Sequence, residues 1–296
     1  MRNLHKEITD KILAQMAQGV VPWRKPWTGQ TGSGLPRNAT TQRAYSGINT
    51  VILWMVGNDK GYAQNDWLTF KQANEKGGTV RKGEKGETVI YVNSIEKIDE
   101  ETGKKVRIPF LKSYTVFNVA QCDGLNLETV KPIEINPDQR NADADAFMTA
   151  TRADIRHGES RAYYAQEPRD FIMLPDFVTF GSADEYYSTA FHELTHWTGS
   201  KSRLDRQFGR RFGDDSYAAE ELVAELGAAF CCAEFGFNNE ANTACGTLQN
   251  SAAYLDHWSQ VLGRNDRLIV EAAAKASRAV DYMRDTVNAT QQPIAA

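Results

Sequence analysis

The stretch His192-Glu193-Leu194-Thr195-His196 constrains this chain more than any other. Two histidines four residues apart lie on one face of an α-helix, so their imidazoles can share one metal ion. The glutamate beside the first histidine can activate a metal-bound water. The run from Asp184 to Phe191 contains no Pro or Gly and predicts the turns before the motif. Ser182 or Asp184 would cap that helix, and Gly199 would stop it.

Such a site needs a third protein ligand. The segment from Tyr217 through Phe230 predicts a second helix, buried on the strength of Leu222, Val223, Leu226 and Phe230. Its Glu221 and Glu225 are one turn apart and point the same way. One can bind the ion while the other orients a ligating histidine. Glu221 is favoured as the ligand with Glu225 behind it, and the reverse assignment stays open. Ala224, Gly227, Ala228 and Ala229 would let this helix approach the histidine helix closely. Two His and one Glu with an open position form a catalytic arrangement, not a closed structural one. The ion would be zinc, with manganese as the other candidate. Glu193 is then the catalytic base. Tyr163, Tyr164, Tyr217 and His257 are the candidate donors to a developing oxyanion, with no choice among them. Arg161–Ala165 and Phe171–Leu174 read as short strands joined by a turn at Glu167–Asp170. A sheet edge beside the metal can hold an extended peptide by strand addition.

The first part of the chain has another character. The formal net charge is only −4, but residues 1–120 carry 18 Lys+Arg against 11 Asp+Glu, while residues 121–296 carry 16 against 27. A net of +7 beside −11 points to a polyanion as partner of the basic part. Four of the 6 Trp fall in the first 67 residues, among that positive charge. Trp23-Arg24-Lys25-Pro26-Trp27 reads as an extended, proline-bounded loop. Arg43, Tyr45 and Asn49 follow, then Trp67 and Lys71, then Arg81, Lys82 and Lys85 in a Gly-rich stretch. Aromatic faces stack on unpaired bases while Lys and Arg track phosphates, which favours single strands over duplex. Trp54, inside an apolar run, reads as core.

These segments, Pro22-Trp-Arg-Lys-Pro-Trp27, Tyr45-Ser-Gly-Ile-Asn49, Trp67-Leu-Thr-Phe-Lys-Gln72 and Arg81-Lys-Gly-Glu-Lys-Gly86, resemble the N-terminal single-stranded-DNA-binding domain of ArdC-type antirestriction proteins. A similar domain occurs at the N-terminus of some plasmid conjugative primases. His192-Glu-Leu-Thr-His-Trp-Thr-Gly199 and Glu220-Glu-Leu-Val-Ala-Glu225 resemble the zincin-type, gluzincin-like metallopeptidase domain fused to it in that family. The likeness covers nearly the whole chain. It implies a protein of conjugative plasmids that binds incoming single-stranded DNA, with weaker binding to duplex, and shields it from host restriction. It also implies a protein substrate or a restriction-enzyme subunit as a further partner.

The expected fold class is α+β in two domains. A mixed α/β single-stranded-DNA-binding domain would span 1–125, a linker 126–142, and a mostly helical zincin-like metallopeptidase domain 143–296. Pro132 and Asn136-Pro137 break regular structure at the join. Within the first domain a helix bearing Ile8, Ile12, Leu13 and Met16 would end near Gly19. Thr88–Val92 and Arg107–Val119 read as strands around a tip at Asp99–Gly103. A long Ala-rich helix would close the chain from about Arg267 to Val287. The 4 Cys form no C-x-x-C pair and suit a reducing cytoplasm. No secretory signal or membrane span is expected, so no membrane partner is either. Three functions compete: strand binding that positions a peptidase, strand coating with a structural or regulatory metal, and a metal-dependent nuclease. A lone His-His-Glu site makes the nuclease the weakest.

Overall fold

A computed structural model describes residues 3–23, 34–98, 105–127, 139–206, 208, 215–237 and 252–291. By their contacts these residues divide into two units, one from Met1–Leu35, Ser46–Val51 and Lys131–Ala296, the other from Pro36–Tyr45 and Ile52–Val130. The fold class is α+β, as the sequence predicts.

In the first unit, the histidine helix α5 (Ala183–Thr198) is buried at every position but Glu185. Ser182 caps it, accepting the Glu185 N–H at 3.2 Å, and the helix stops at Gly199. A helix buried all round satisfies most of its polar side chains on its own backbone. Thr195 Oγ1 accordingly donates to the Phe191 carbonyl at 2.7 Å, and Thr198 Oγ1 to the Thr195 carbonyl at 2.6 Å. Helix α6 (Asp215–Phe235) packs along α5, and α8 (Leu268–Gln291) packs against both. Helix α4 (Ala142–Ala150) joins them through an aromatic cluster in which Phe147 meets Phe191 and Phe235. Arg284 on α8 clamps Glu234 on α6 at 2.8 Å.

A three-stranded sheet lies beside α5. Strand β9 (Phe171–Leu174) is its middle strand, parallel to β7 (Ile155–His157) and antiparallel to β8 (Tyr163–Ala165). The predicted strand pair is thus β8 and β9, and β8 forms an edge. The amino-terminal helix α1 (Leu4–Met16) belongs to this unit too. Its apolar face of Ile8, Ile12 and Met16 is buried, and the partner that covers it is α7 (Ala252–Arg264). Thr9 Oγ1 ties it down by donating to the Asp266 carbonyl at 2.9 Å. Residues 4–16 thus lie with the carboxy-terminal helices, an association that sequence order does not suggest.

The second unit is built on a four-stranded sheet in the order β1-β2-β5-β4. Its strands are β1 (Arg37–Asn38), β2 (Asp66–Thr69), β4 (Glu87–Ile98) and β5 (Lys105–Asn118). The last two form a long antiparallel ladder from Glu87↔Val116 to Ile98↔Lys105. The predicted hairpin tip lies outside the described residues. Trp67 and Leu68 on β2 are both fully buried, because apolar side chains cover both faces of the sheet there. Trp67 packs with Leu53 of α2 (Ile48–Lys60), Val89 and Val116, while Leu68 packs with Ala73 of α3 (Phe70–Glu75) and Ala39. A small ribbon of β3 (Thr79–Val80) and β6 (Cys122–Asp123) completes the unit. Thr69 and Gln72 form a capping box that starts α3 where β2 ends. Among the described residues no helix is long and apolar enough to cross a membrane.

Candidate metal centre

Helices α5 and α6 bring three candidate ligands together. The Nε2 atoms of His192 and His196 face each other at 3.1 Å. Glu221 offers one carboxylate oxygen to each, both at 3.6 Å. A tetrahedral ion about 2.0–2.2 Å from each ligand atom sets those atoms roughly 3.3–3.6 Å apart. The observed spacing fits a single ion of that size, and the N, N, O donor set fits zinc or manganese. The helices approach this closely because α6 carries Gly227 at the crossing. A Cβ there would sit 2.5 Å from Thr195 Oγ1. The sequence singled out that glycine for close approach.

The electrostatics follow from burying cationic and anionic groups side by side. Burial disfavours charge on His192, but the Glu221 hydrogen bond and the nearby Glu193 and Glu225 charges outweigh it and push its pKa up to about 9. Burial would raise the Glu221 carboxyl, yet the two imidazoles and the Tyr217 hydroxyl hold it down at about 2. Glu193 moves the other way: burial raises it above the usual carboxylate range, against the pull of the two histidines. The backbone N–H of Tyr164, on β8, also donates to the Glu193 carboxylate.

The partner behind His196 is Glu220, where the sequence pointed to Glu225. His196 Nδ1 donates to Glu220 Oε1 at 3.2 Å, which leaves Nε2 as the lone-pair face toward the ion. Successive helix residues are turned by about 100°. Glu221 therefore reaches the front of the imidazole while its neighbour reaches the back, and Glu225 stays one turn on, buried and outside the ligand triplet. Arg206 completes the arrangement, a residue no sequence pattern marks. It forks onto Glu220 at 2.8 and 3.0 Å, and donates to the Thr195 carbonyl and Thr198 Oγ1 at 2.6 and 2.8 Å. Gly199 leaves room for it, since a Cβ there would lie 2.7 Å from the guanidinium.

A cavity of about 210 Å³ opens onto the triplet, lined by Glu193, Phe208, Tyr217 and edge strand β8 among others. Of the candidate oxyanion donors, Tyr217 lines it while donating to Glu221. Tyr164 also lines it, but its hydroxyl is committed to Asp170 at 2.7 Å and receives Arg203. Tyr163 lines the cavity with its hydroxyl on Glu159 at 3.3 Å, and His257, on α7, is not among the lining residues.

Comparison with known proteins finds two families in succession along the chain. A family described as zincin-like metallopeptidase matches residues 142–275, and one described as the N-terminal domain of anti-restriction factor ArdC matches residues 2–117. The metal-free crystal structure of the antirestriction ArdC protein from the R388 plasmid superposes with a TM-score of 0.78 at 42% identity, covering 98% of this chain and 100% of that one. The chain belongs to the ArdC family of antirestriction proteins. The Mn(II)-bound structure of the R388 ArdC gives a TM-score of 0.75 over 97% and 98% of the two chains. An uncharacterized protein of Sinorhizobium fredii, y4eC, is 34% identical over 95% of this chain and 91% of its own length. The DNA primase TraC of Escherichia coli is 38% identical over 94% of this chain, which spans only 27% of that primase.

The candidate DNA-binding residues of this ArdC-family chain fall into three groups. Arg24, Lys25 and Trp27 lie outside the described residues. Trp23 and Trp67 are buried, at 2% and 0% exposure, so neither indole can stack on a base as the sequence reading expected. Trp23 is enclosed with Val21 and Pro22, and Trp67 stands edge-on to Tyr62 at 5.9 Å in the sheet core. Arg43, Lys71, Arg81, Lys82 and Lys85 are exposed, and Tyr45 and Asn49 are half-buried. Arg81 is bound to Glu84, Asp123 and the Ala120 carbonyl. The cysteines Cys122, Cys231 and Cys232 are free thiols, and burial pushes the last two well above the usual thiol range.

Proposed function

We propose that this protein shields plasmid DNA entering a restricting cell, by holding it as a single strand and by hydrolysing a protein target at the α5–α6 metal centre. The observation that carries the catalytic half is the convergence of His192, His196 and Glu221 on one point at the wall of an open cavity, with buried Glu193 beside them. His192, His196 and Glu221 would hold the ion, zinc or manganese, and Glu220 fixes the orientation of His196. When bound, such an ion polarises a carbonyl and acidifies water. Glu193, whose proton affinity burial has raised, accepts the proton of the attacking water and returns it to the leaving amide nitrogen. Edge strand β8 lines the same cavity, and an extended peptide can pair along it. The free thiols suit a reducing cytoplasm.

The test is plasmid transfer into a restricting recipient, comparing the wild type with Glu193→Gln at matched protein levels. The substitution keeps the three ligands and removes the proton acceptor. Protection should fall toward that of the empty vector. Full protection by the variant would remove hydrolysis from the function and leave strand binding alone.

A further inference from the structure

Edge strand β8 and the turn that leaves it are fastened to the end of the histidine helix by one arginine. Residue pairs along an antiparallel ladder alternate between exchanging both hydrogen bonds and exchanging none. Ile172, opposite Tyr164, gives its N–H to the Asp154 carbonyl on the β7 side at 2.8 Å. Tyr164 therefore sits in a pair of the second kind, and its N–H points out of the free edge of the sheet. There it meets the Glu193 carboxylate of α5. The side chain of Tyr164 is gripped at its other end. Its hydroxyl donates to Asp170 at 2.7 Å and accepts from Arg203 Nη2 at 3.0 Å. Arg203 also forks onto both Asp170 oxygens, and its Nε donates to the Trp197 carbonyl at 2.6 Å. Its guanidinium lies 4.1 Å over the Trp197 ring, and the side chain is only 9% exposed. Trp197 follows His196 directly, so this one cation spans from the ligand helix to the edge strand. Ser202, one residue earlier, donates to Glu167 of the same turn at 2.6 Å. Asp170 is held at a φ of 49°, uncommon for a residue with a Cβ.

We propose that Arg203 is a positioning residue for hydrolysis at the metal centre, an inference that rests on the catalytic half of the function proposed above. By fixing the Tyr164 hydroxyl against the end of α5, Arg203 holds the Tyr164 backbone where its N–H binds one oxygen of Glu193. That bond orients the carboxylate at the cavity wall and leaves its other oxygen for the proton of the attacking water. Arg203 itself touches neither substrate nor ion and acts through Tyr164. A pair that only closed the turn would change stability alone. Here the chain of contacts runs on from Asp170 and Arg203, through Tyr164, to the proton acceptor.

The metal-free full chain is labelled with nitrogen-15, and hydrogen–deuterium exchange of its backbone amides is followed by NMR for the wild type, Arg203→Met and Tyr164→Phe. In both variants the amide of residue 164 should exchange about 10- to 150-fold faster, the loss of a hydrogen bond to a charged acceptor. The Ile172 amide, bonded inside the same sheet, should exchange as in the wild type. Tyr164→Phe keeps the Arg203–Asp170 pair and decides the matter where Arg203→Met unfolds. In the plasmid-transfer assay both variants should lose protection together with Glu193→Gln. Unchanged exchange at residue 164, or equal acceleration at Ile172, would overturn the positioning role while leaving hydrolysis in place. Full protection by Tyr164→Phe beside a failing Glu193→Gln would overturn it as well. Full protection by Glu193→Gln would instead remove hydrolysis from the function, and a role in positioning for it at the same time.

Discussion

Replacing Gly227 with alanine should pull the two halves of the metal centre apart. Gly227 lies on α6 six residues beyond Glu221, and Thr195 lies on α5 next to His196. The added Cβ would sit 2.5 Å from Thr195 Oγ1, 2.6 Å from Cγ2 and 3.1 Å from Cβ, where ordinary contact begins at 3.4 Å. The shortfall is 3.4 − 2.5, or 0.9 Å. Rotation of Thr195 does not relieve it, because two of its three staggered positions are always filled and Oγ1 is held by the Phe191 carbonyl. The helices must therefore separate or tilt. Overpacking of this kind costs about 1–3 kcal/mol of folding free energy. The larger effect falls on the ion, because ligand distances tolerate only about 0.2 Å. Affinity for zinc or manganese should drop at least about tenfold, a loss of about 1.4 kcal/mol or more.

Isothermal titration with each ion, together with urea unfolding in chelator, separates the two effects. Adding Thr195→Ala to the Gly227→Ala chain leaves only the 3.1 Å contact and should restore most of the metal affinity. The reasoning is refuted if Gly227→Ala binds the ion as tightly as wild type and unfolds within about 0.5 kcal/mol of it.

Two further outcomes follow from the same geometry. Glu220→Ala leaves Arg206 buried without a carboxylate, and should cost about 3–5 kcal/mol of stability with a 10- to 100-fold loss of metal affinity. The pair Arg206→Met with Glu220→Leu should regain stability in urea but not metal affinity, since His196 Nδ1 still lacks its acceptor; recovery of both would deny Glu220 a positioning role. For pH, the His192 pKa raised to about 9 means that the metal-free protein carries a proton there at pH 7. An ion must displace it, so affinity should rise about tenfold per pH unit up to about 9, with about one proton released on binding. In the metal-free chain this group's stabilisation is complete below 6.5, the unfolded value, and is lost as pH rises through about 9. Calorimetry in buffers of different ionisation enthalpy counts the proton, and a pH-independent affinity would contradict the assignment.

What the sequence made legible was whatever depends on spacing within one helix. His192, His196 and Glu221 needed only the turn of an α-helix and a second helix close by, and Gly227 announced the closeness. Glu220 was missed for a reason of the same kind. Periodicity asks which residues share a face with Glu221, and so selects Glu225. The imidazole of His196, however, is gripped from front and back, and the back is reached by the neighbour turned about 100° away. Arg206 arrives from the segment between two helices, where no period exists to mark it.

Trp67 was misread on a different point, because aromatic residues among cations carry no information about how wide a sheet is. Trp67 is core because β2 lies between β1 and β5, with Leu53 on one side and the Leu68 cluster on the other. Tyr91 and Tyr114 share a face of the ladder with the buried Val89 and Val116. They are exposed because β2 stops at Thr69, where a capping box turns the chain into α3. The local signal that ends one strand thus decides which rings of its neighbours meet solvent.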